Sequence, residues 1–203
     1  MSKNSKLYLL KDRKDYIKKL TDDDVVNVIG TKGSGKTTST LKYINDDNYI
    51  VINCDRLYEM PIDNDIEDKY LSEIRSLLKK KYGKIYEGEE FINCYNDILN
   101  FITKKKKKAL IEGNVIYDIK PITQLKGTII VKRTGIIKCF IRAVKRDYPN
   151  KYFLNKEIEK HGKILGRFCR LKNIIKRRKN IFKIYHEIEN IIDEIEKYNI
   201  NQL

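Results

Sequence analysis

Four short runs of apolar, mostly β-branched residues punctuate the chain: Val25–Ile29, Tyr49–Asn53, Lys108–Ile111 and Gly127–Val131. They are continuous rather than alternating, the composition of strands buried on both faces of a parallel sheet. Elsewhere apolar residues recur every three or four positions, the period of a helix with one buried face. Residues 66–81 and 88–103 read as two amphipathic helices separated by Tyr82-Gly83-Lys84. Further on, Ile158, His161, Ile164/Leu165, Phe168, Leu171 and Ile174/Ile175 form one stripe opposite Lys160, Lys163, Arg167, Arg170 and Lys172. That pattern predicts a basic amphipathic helix able to pack on a sheet, with His161 as a core or boundary residue. Ile181, Ile184/Tyr185, Ile188, Ile191/Ile192, Ile195 and Tyr198 predict a terminal helix covering the sheet. Tyr8-Leu9-Leu10 and Tyr16-Ile17-Leu20 predict a helix before the first strand, and no convincing strand follows residue 131.

Strands alternating with helices imply right-handed βαβ crossovers and an α/β fold with a parallel sheet. Ligands in such sheets sit beyond the carboxyl ends of the strands. That rule places Asp55, Glu112 and Arg133, each just past an apolar run, on one rim.

The first run leads directly into Gly30-Thr31-Lys32-Gly33-Ser34-Gly35-Lys36-Thr37, followed by Thr38-Ser39-Thr40-Leu41-Lys42-Tyr43-Ile44, which can continue as a helix. This is Gly-x4-Gly-Lys-Thr in the strand–loop–helix setting that a phosphate-binding loop requires. Glycines let such a loop curl so that successive backbone N–H groups face one concavity and take phosphate oxygens. The expected nucleotide-binding set is Gly30, Thr31, Lys32, Gly33, Ser34, Gly35, Lys36, Thr37 and Thr38. Within it Lys36 reaches the β- and γ-phosphates and Thr37 ligates Mg²⁺, while Lys32, extra to the motif, reads as a solvated charge. Ala-Leu-Ile-Glu is an apolar strand closed by an acid, so Glu112 is expected to hold Mg²⁺ or its waters. Asp55 is expected to be a base, a ligand of the acceptor hydroxyl, or a further metal contact.

Composition and charge narrow the classes further. The chain of 203 residues is 41% apolar, enough for one α/β domain. It has no eighteen-residue apolar run, and Met1–Lys6 lacks the apolar stretch of a secretory signal, so a cytoplasmic protein without membrane contact is expected. Cys54, Cys94, Cys139 and Cys169 form no CxxC pair and only two His are present, which predicts reduced thiols rather than a zinc cage or disulfides. Net charge is +15, but residues 101–183 carry 25 Lys/Arg against five Asp/Glu. Such a block suits phosphates, of a nucleotide or of a nucleic-acid backbone. It also suits an Ile-, Lys-, Asn- and Tyr-rich coding bias, and Lys104–Lys108 reads as a solvated run before a strand.

The order of phosphate loop, Cys54-Asp55, helical insert and Leu110-Ile111-Glu112-Gly113 resembles the P-loop kinases, and within them the nucleoside-monophosphate-kinase-like group with shikimate, polynucleotide and zeta-toxin kinases. The resemblance spans roughly residues 24–150. It implies a three-layer α/β/α P-loop NTPase fold, one domain over residues 1–203, and a parallel sheet of four to five strands in the order second, third, first, fourth. It also implies a helical acceptor-binding insert at about 56–107 and a basic helical lid at about 135–180. Arg142 and Arg146 in Ile141-Arg142-Ala143-Val144-Lys145-Arg146-Asp147 are similar to lid arginines that stabilise the transferring phosphoryl group. Asn114 stands where nucleotide kinases carry Phe-Pro-Arg, which points away from an ordinary nucleoside monophosphate as acceptor. The function implied is ATP- and Mg²⁺-dependent phosphoryl transfer. The alternatives are a polynucleotide 5′-hydroxyl kinase, favoured by the basic block, and an ATP-hydrolysing switch without an acceptor.

Overall fold

Five strands, β1 (Lys6–Leu9), β2 (Val25–Ile29), β3 (Tyr49–Asn53), β4 (Lys108–Glu112) and β5 (Thr128–Val131), pair in parallel throughout, in the order β1-β5-β2-β4-β3. This computed structural model describes residues 6–9, 23–57, 68–83, 91–113, 124–132 and 134–200. The four strands expected from the hydropathy pattern stand in the expected order. Val26, Val28 and Ile29 of β2 are fully buried, as are Leu110 and Ile111 of β4 and Ile129–Val131 of β5, which is why these runs do not alternate with polar residues.

The outer strand corrects one expectation. Residues 8 and 9 are not helical: Lys6–Leu9 pairs with β5 in the register Lys6↔Thr128 to Leu9↔Val131. A strand here satisfies backbone groups of β5 that would otherwise form an open edge. Tyr16, Ile17 and Leu20 lie outside the described residues.

The loop after β2 runs into α1 (Lys36–Thr40), and α2 (Leu71–Tyr82) and α3 (Phe91–Lys104) follow β3. The last two match the helices expected at 66–81 and 88–103; residues 68–70 are not helical, and 66–67 and 88–90 lie outside the described residues. Leu71, Ile74 and Leu78 of α2 and Phe91, Cys94, Tyr95, Ile98, Leu99 and Ile102 of α3 are buried at helical spacing. Asp97 joins the two, accepting from Lys81 Nζ at 2.7 Å and from the Tyr82 hydroxyl at 2.6 Å. Asp68 is buried just before α2; its Oδ2 accepts the Val51 N–H at 2.9 Å and its Oδ1 the Tyr70 N–H at 3.0 Å.

Asn27 is a polar residue at the centre of the sheet, and it is fully satisfied. It donates to the Lys126 carbonyl at 2.8 Å and accepts from the Tyr95 hydroxyl at 3.0 Å, which in turn accepts the Lys126 N–H at 3.1 Å. Burial pushes the Tyr95 phenol up to about 12, against the hydrogen bonds with Asn27 and Lys126. Tyr95→Phe would leave the buried Asn27 Oδ1 without its donor and the part-buried Lys126 N–H without its acceptor. It is expected to cost about 1–3 kcal/mol, read as a lower denaturant midpoint at unchanged m-value.

By internal contacts the chain divides into two units, residues 1–30, 35–133 and 192–203 in the first, and 31–34 and 134–191 in the second. The second contains α4 (Ile136–Asp147), α5 (Lys151–His161), α6 (Lys163–Arg178) and most of α7 (Asn180–Ile200). Cys139 and Ala143 of α4 are buried with Ile181, so the start of the terminal helix packs on another helix rather than on a strand. Asp147 ends α4 and anchors α6: its carboxylate pairs with Arg178, and its carbonyl accepts from Arg170 Nη2 at 2.7 Å.

The basic stripe over residues 158–175 is not one helix. The chain leaves helical geometry at Gly162, where φ is 79° and ψ 166°, and α5 and α6 form a hairpin around it. The stripe is also not buried as expected, with Ile164 87% and Phe168 65% exposed. Among the described residues no helix is long and apolar enough to cross a membrane.

Candidate functional site

The glycine loop begins where β2 ends. A turn closed by the Ser34 N–H on the Thr31 carbonyl at 2.9 Å lifts the chain, and Thr134 Oγ1 donates to the Ser34 carbonyl at 3.1 Å. Gly33 has φ 87°, and a Cβ on it would collide with the Cys139 carbonyl, so no other residue fits this crest. Among the described residues neither Gly33 nor Gly35 donates a backbone hydrogen bond. The first N–H groups of α1 likewise have no partner within the helix. Lys32 is half-buried rather than solvated.

Lys36 opens α1. Its side chain is buried, and Nζ folds back to donate to the Gly30 carbonyl at 2.6 Å. Thr37 and Thr38 are exposed on the first turn. The helix stops at Thr40 and passes into a 3-10 turn at Leu41–Tyr43, shorter than the expected run to Ile44. Hydroxyl groups compete for its carbonyls: Ser39 Oγ donates to Gly35 at 3.0 Å and Thr40 Oγ1 to Thr37 at 3.2 Å.

The acids come from neighbouring strand ends. Asp55 lies in a 3-10 turn, Cys54–Arg56, directly after β3, and Glu112 is the last residue of β4. Glu112 stands in register with Asn53 of β3 and Val28 of β2. Asn53 Nδ2 donates to Glu112 Oε1 at 3.0 Å. Glu112 Oε2 and Asn53 Oδ1 are both buried with no hydrogen-bond partner of ordinary geometry. Burial raises the Glu112 carboxyl to about 7; Asp55 adds to the rise, while the Thr37 hydroxyl, Lys36 and Arg56 oppose it. The same setting holds the Cys54 thiol well above its ordinary value, by burial first and then by Asp55 and Glu112. Cys54 is therefore an inert packing group rather than a nucleophile.

The structure thus brings Lys36, Thr37, Asp55 and Glu112 together at the carboxyl ends of β2, β3 and β4. Two neighbours were not singled out from the sequence. Asn53 orients Glu112, and Lys132, the residue after β5, places Nζ on the Ser39 hydroxyl. Lys132 was open to the rule that put Arg133 on the rim; Asn53 needed the pairing register. Arg133 and Asn114 lie outside the described residues.

Neither a family model nor a curated protein matches this sequence.

The arginines belong to the second unit. Arg142 Nη1 donates to the Gly33 carbonyl at 3.4 Å, a long contact from an exposed side chain. Arg146, one turn further along α4, is exposed and pairs with Asp147 at 3.2 Å. Beside a lysine, a threonine hydroxyl and two strand-end acids, the buried oxygens without donors suit a hard divalent cation or its waters, whose ligands are oxygens.

Proposed function

We propose that this protein is an ATP- and Mg²⁺-dependent phosphotransferase of P-loop type, acting on a hydroxyl or phosphate acceptor. One observation carries the reading. Glu112 ends a central strand with an unpartnered buried oxygen, next to the lysine and threonine that close a glycine loop on the adjacent strand.

In this reading the loop amides and Lys36 hold the triphosphate, and Lys36 exchanges the Gly30 carbonyl for a phosphate oxygen. Thr37 and Glu112, steadied by Asn53, hold Mg²⁺, which supplies neutralisation of phosphate charge. Asp55 accepts the proton of an attacking hydroxyl, while Arg142 and Arg146 are named for the phosphate oxygens from the family resemblance alone. Little covalent chemistry is asked of the protein, since phosphoryl transfer is driven by positioning and charge. Adenine, rather than guanine, is named from the family resemblance.

A polynucleotide 5′-hydroxyl kinase is a second reading, favoured by a pocket of about 400 Å³ in the second unit. Lys163, Arg167, Tyr148 and Phe168 line it, a pairing of cations with rings that suits phosphates and stacked bases. A thermal-shift screen tests both. ATP with Mg²⁺ is expected to raise the midpoint by mass action, and neither alone should match the pair. A further shift with a 5′-hydroxyl oligonucleotide that fades steeply with salt selects the second reading. No shift with any purine triphosphate and Mg²⁺ removes the nucleotide assignment.

A further inference from the structure

The α5–α6 hairpin approaches closely because residue 166 is glycine: a Cβ there would lie 2.5 Å from the Glu157 carbonyl oxygen. That approach gathers three side chains of different donor chemistry. Glu157 and His161 are one turn apart on α5, Cys169 faces them from α6, and one ligand atom from each lies within 4.8 Å of the others. Glu157 Oε2 is 3.6 Å from His161 Nε2, with the two side chains 23% and 31% exposed. Asn173 Nδ2 donates to Glu157 Oε1 at 3.0 Å, which occupies one carboxylate oxygen and leaves the other to the imidazole.

We propose that Glu157, His161 and Cys169 bind a divalent cation of the zinc type, with the fourth tetrahedral position taken by water or an outside ligand. Ordinary zinc–nitrogen, zinc–oxygen and zinc–sulfur lengths at tetrahedral angles place ligand atoms about 3.4–3.6 Å apart. The oxygen–nitrogen pair already has this spacing, and the sulfur, within 4.8 Å of the other two ligand atoms, closes the rest by a side-chain movement of up to about 1.3 Å. Thiolate and imidazole select zinc-like metals over Mg²⁺, which favours oxygen alone. Asn173 has the place of an outer group that orients a ligating carboxylate. Cys54, Cys94 and Cys139 are buried, and Cys169 is the half-buried thiol. Binding converts the Cys169 thiol to a metal-bound thiolate and releases its proton to solvent, so affinity falls as pH is lowered. The metal would tie α5 to α6 across the Gly162 reversal, independently of the nucleotide reading. The absence of paired cysteines does not bear on it, because the site uses one thiol.

The full-length protein, kept reduced and stripped with a chelator, is titrated with Zn²⁺ against a chromogenic chelator and with Co²⁺ in parallel. About one equivalent is expected to bind, with a cobalt spectrum showing a thiolate charge-transfer band and tetrahedral ligand-field bands. Cys169→Ser should lose the charge-transfer band, and His161→Gln should weaken binding. Asn173→Ala should keep the spectrum but bind about tenfold more weakly. Lys36→Ala should bind Zn²⁺ like the parent, separating this site from the nucleotide. A parent protein without the charge-transfer band, or a Cys169→Ser variant that binds Zn²⁺ equally well, overturns the proposal. The parent cobalt spectrum decides even if a variant fails to fold.

Discussion

Lys36→Ala is expected to lower ATP turnover by at least about a hundredfold, the scale seen when one preorganised donor to developing negative charge is removed. The parent ammonium is buried and held by the Gly30 carbonyl, so it is already desolvated and positioned before any ligand arrives. Losing the charge-assisted hydrogen bond to the buried Gly30 carbonyl costs about 1.5–3 kcal/mol, a loss that leaves the sheet itself in place. A far-UV spectrum and an m-value like the parent's, with a modestly lower denaturant midpoint, would show that the loss is local. The ATP- and Mg²⁺-dependent rise in melting temperature should shrink with the activity. A variant turning over ATP within a few-fold of the parent would show that Lys36 does not serve the phosphates.

Glu112→Gln is expected to move stability and activity in opposite directions. In the folded protein the Glu112 carboxyl sits near 7, against an ordinary value of 4.5. Between those values the folded chain keeps a proton that the unfolded chain gives up, so stability falls as pH rises through the window. The cost is complete above about pH 7 and is on the order of 3 kcal/mol as an upper figure. Glutamine has the same shape, accepts from Asn53, and never ionises. The variant should therefore be more stable than the parent at pH 8, with the gap closing towards pH 5. Its Mg²⁺-dependent turnover should nonetheless fall by about a hundredfold or more, because a neutral amide holds the dication poorly. In the parent, Mg²⁺ should bind more weakly below pH 7 and release a proton on binding. Denaturant titrations at pH 5, 6, 7 and 8 check the first part; an unchanged pH slope in the variant would sink it.

Four of the five described strands were legible because they are short, continuous apolar runs. Lys36, Thr37 and Glu112 could be singled out because a Gly-x4-Gly-Lys-Thr run and an acid closing an apolar strand are local spacings, and the structure sets the three near one another. What escaped depends on residues far apart in sequence. Asn53 meets Glu112 through register, and Asp68 caps the Val51 N–H across a crossover. The strand at Lys6–Leu9 is four residues inside a lysine-rich segment, and its only signal is the partner it finds in β5. The stripe at 158–175 kept its helical period across Gly162, so periodicity alone could not report the reversal there. Glu157, His161 and Cys169 meet only because of that reversal.

The position of β1 also has a consequence for biosynthesis. Lys6 is made well before its partner Thr128, which follows the crossovers carrying α2 and α3. The five described strands can therefore come together only after β5 has been made, when Lys6–Leu9 returns to dock beside it. Non-local closure of this kind is slow, and until it happens the nascent chain carries an unfilled seat that a second nascent chain could occupy.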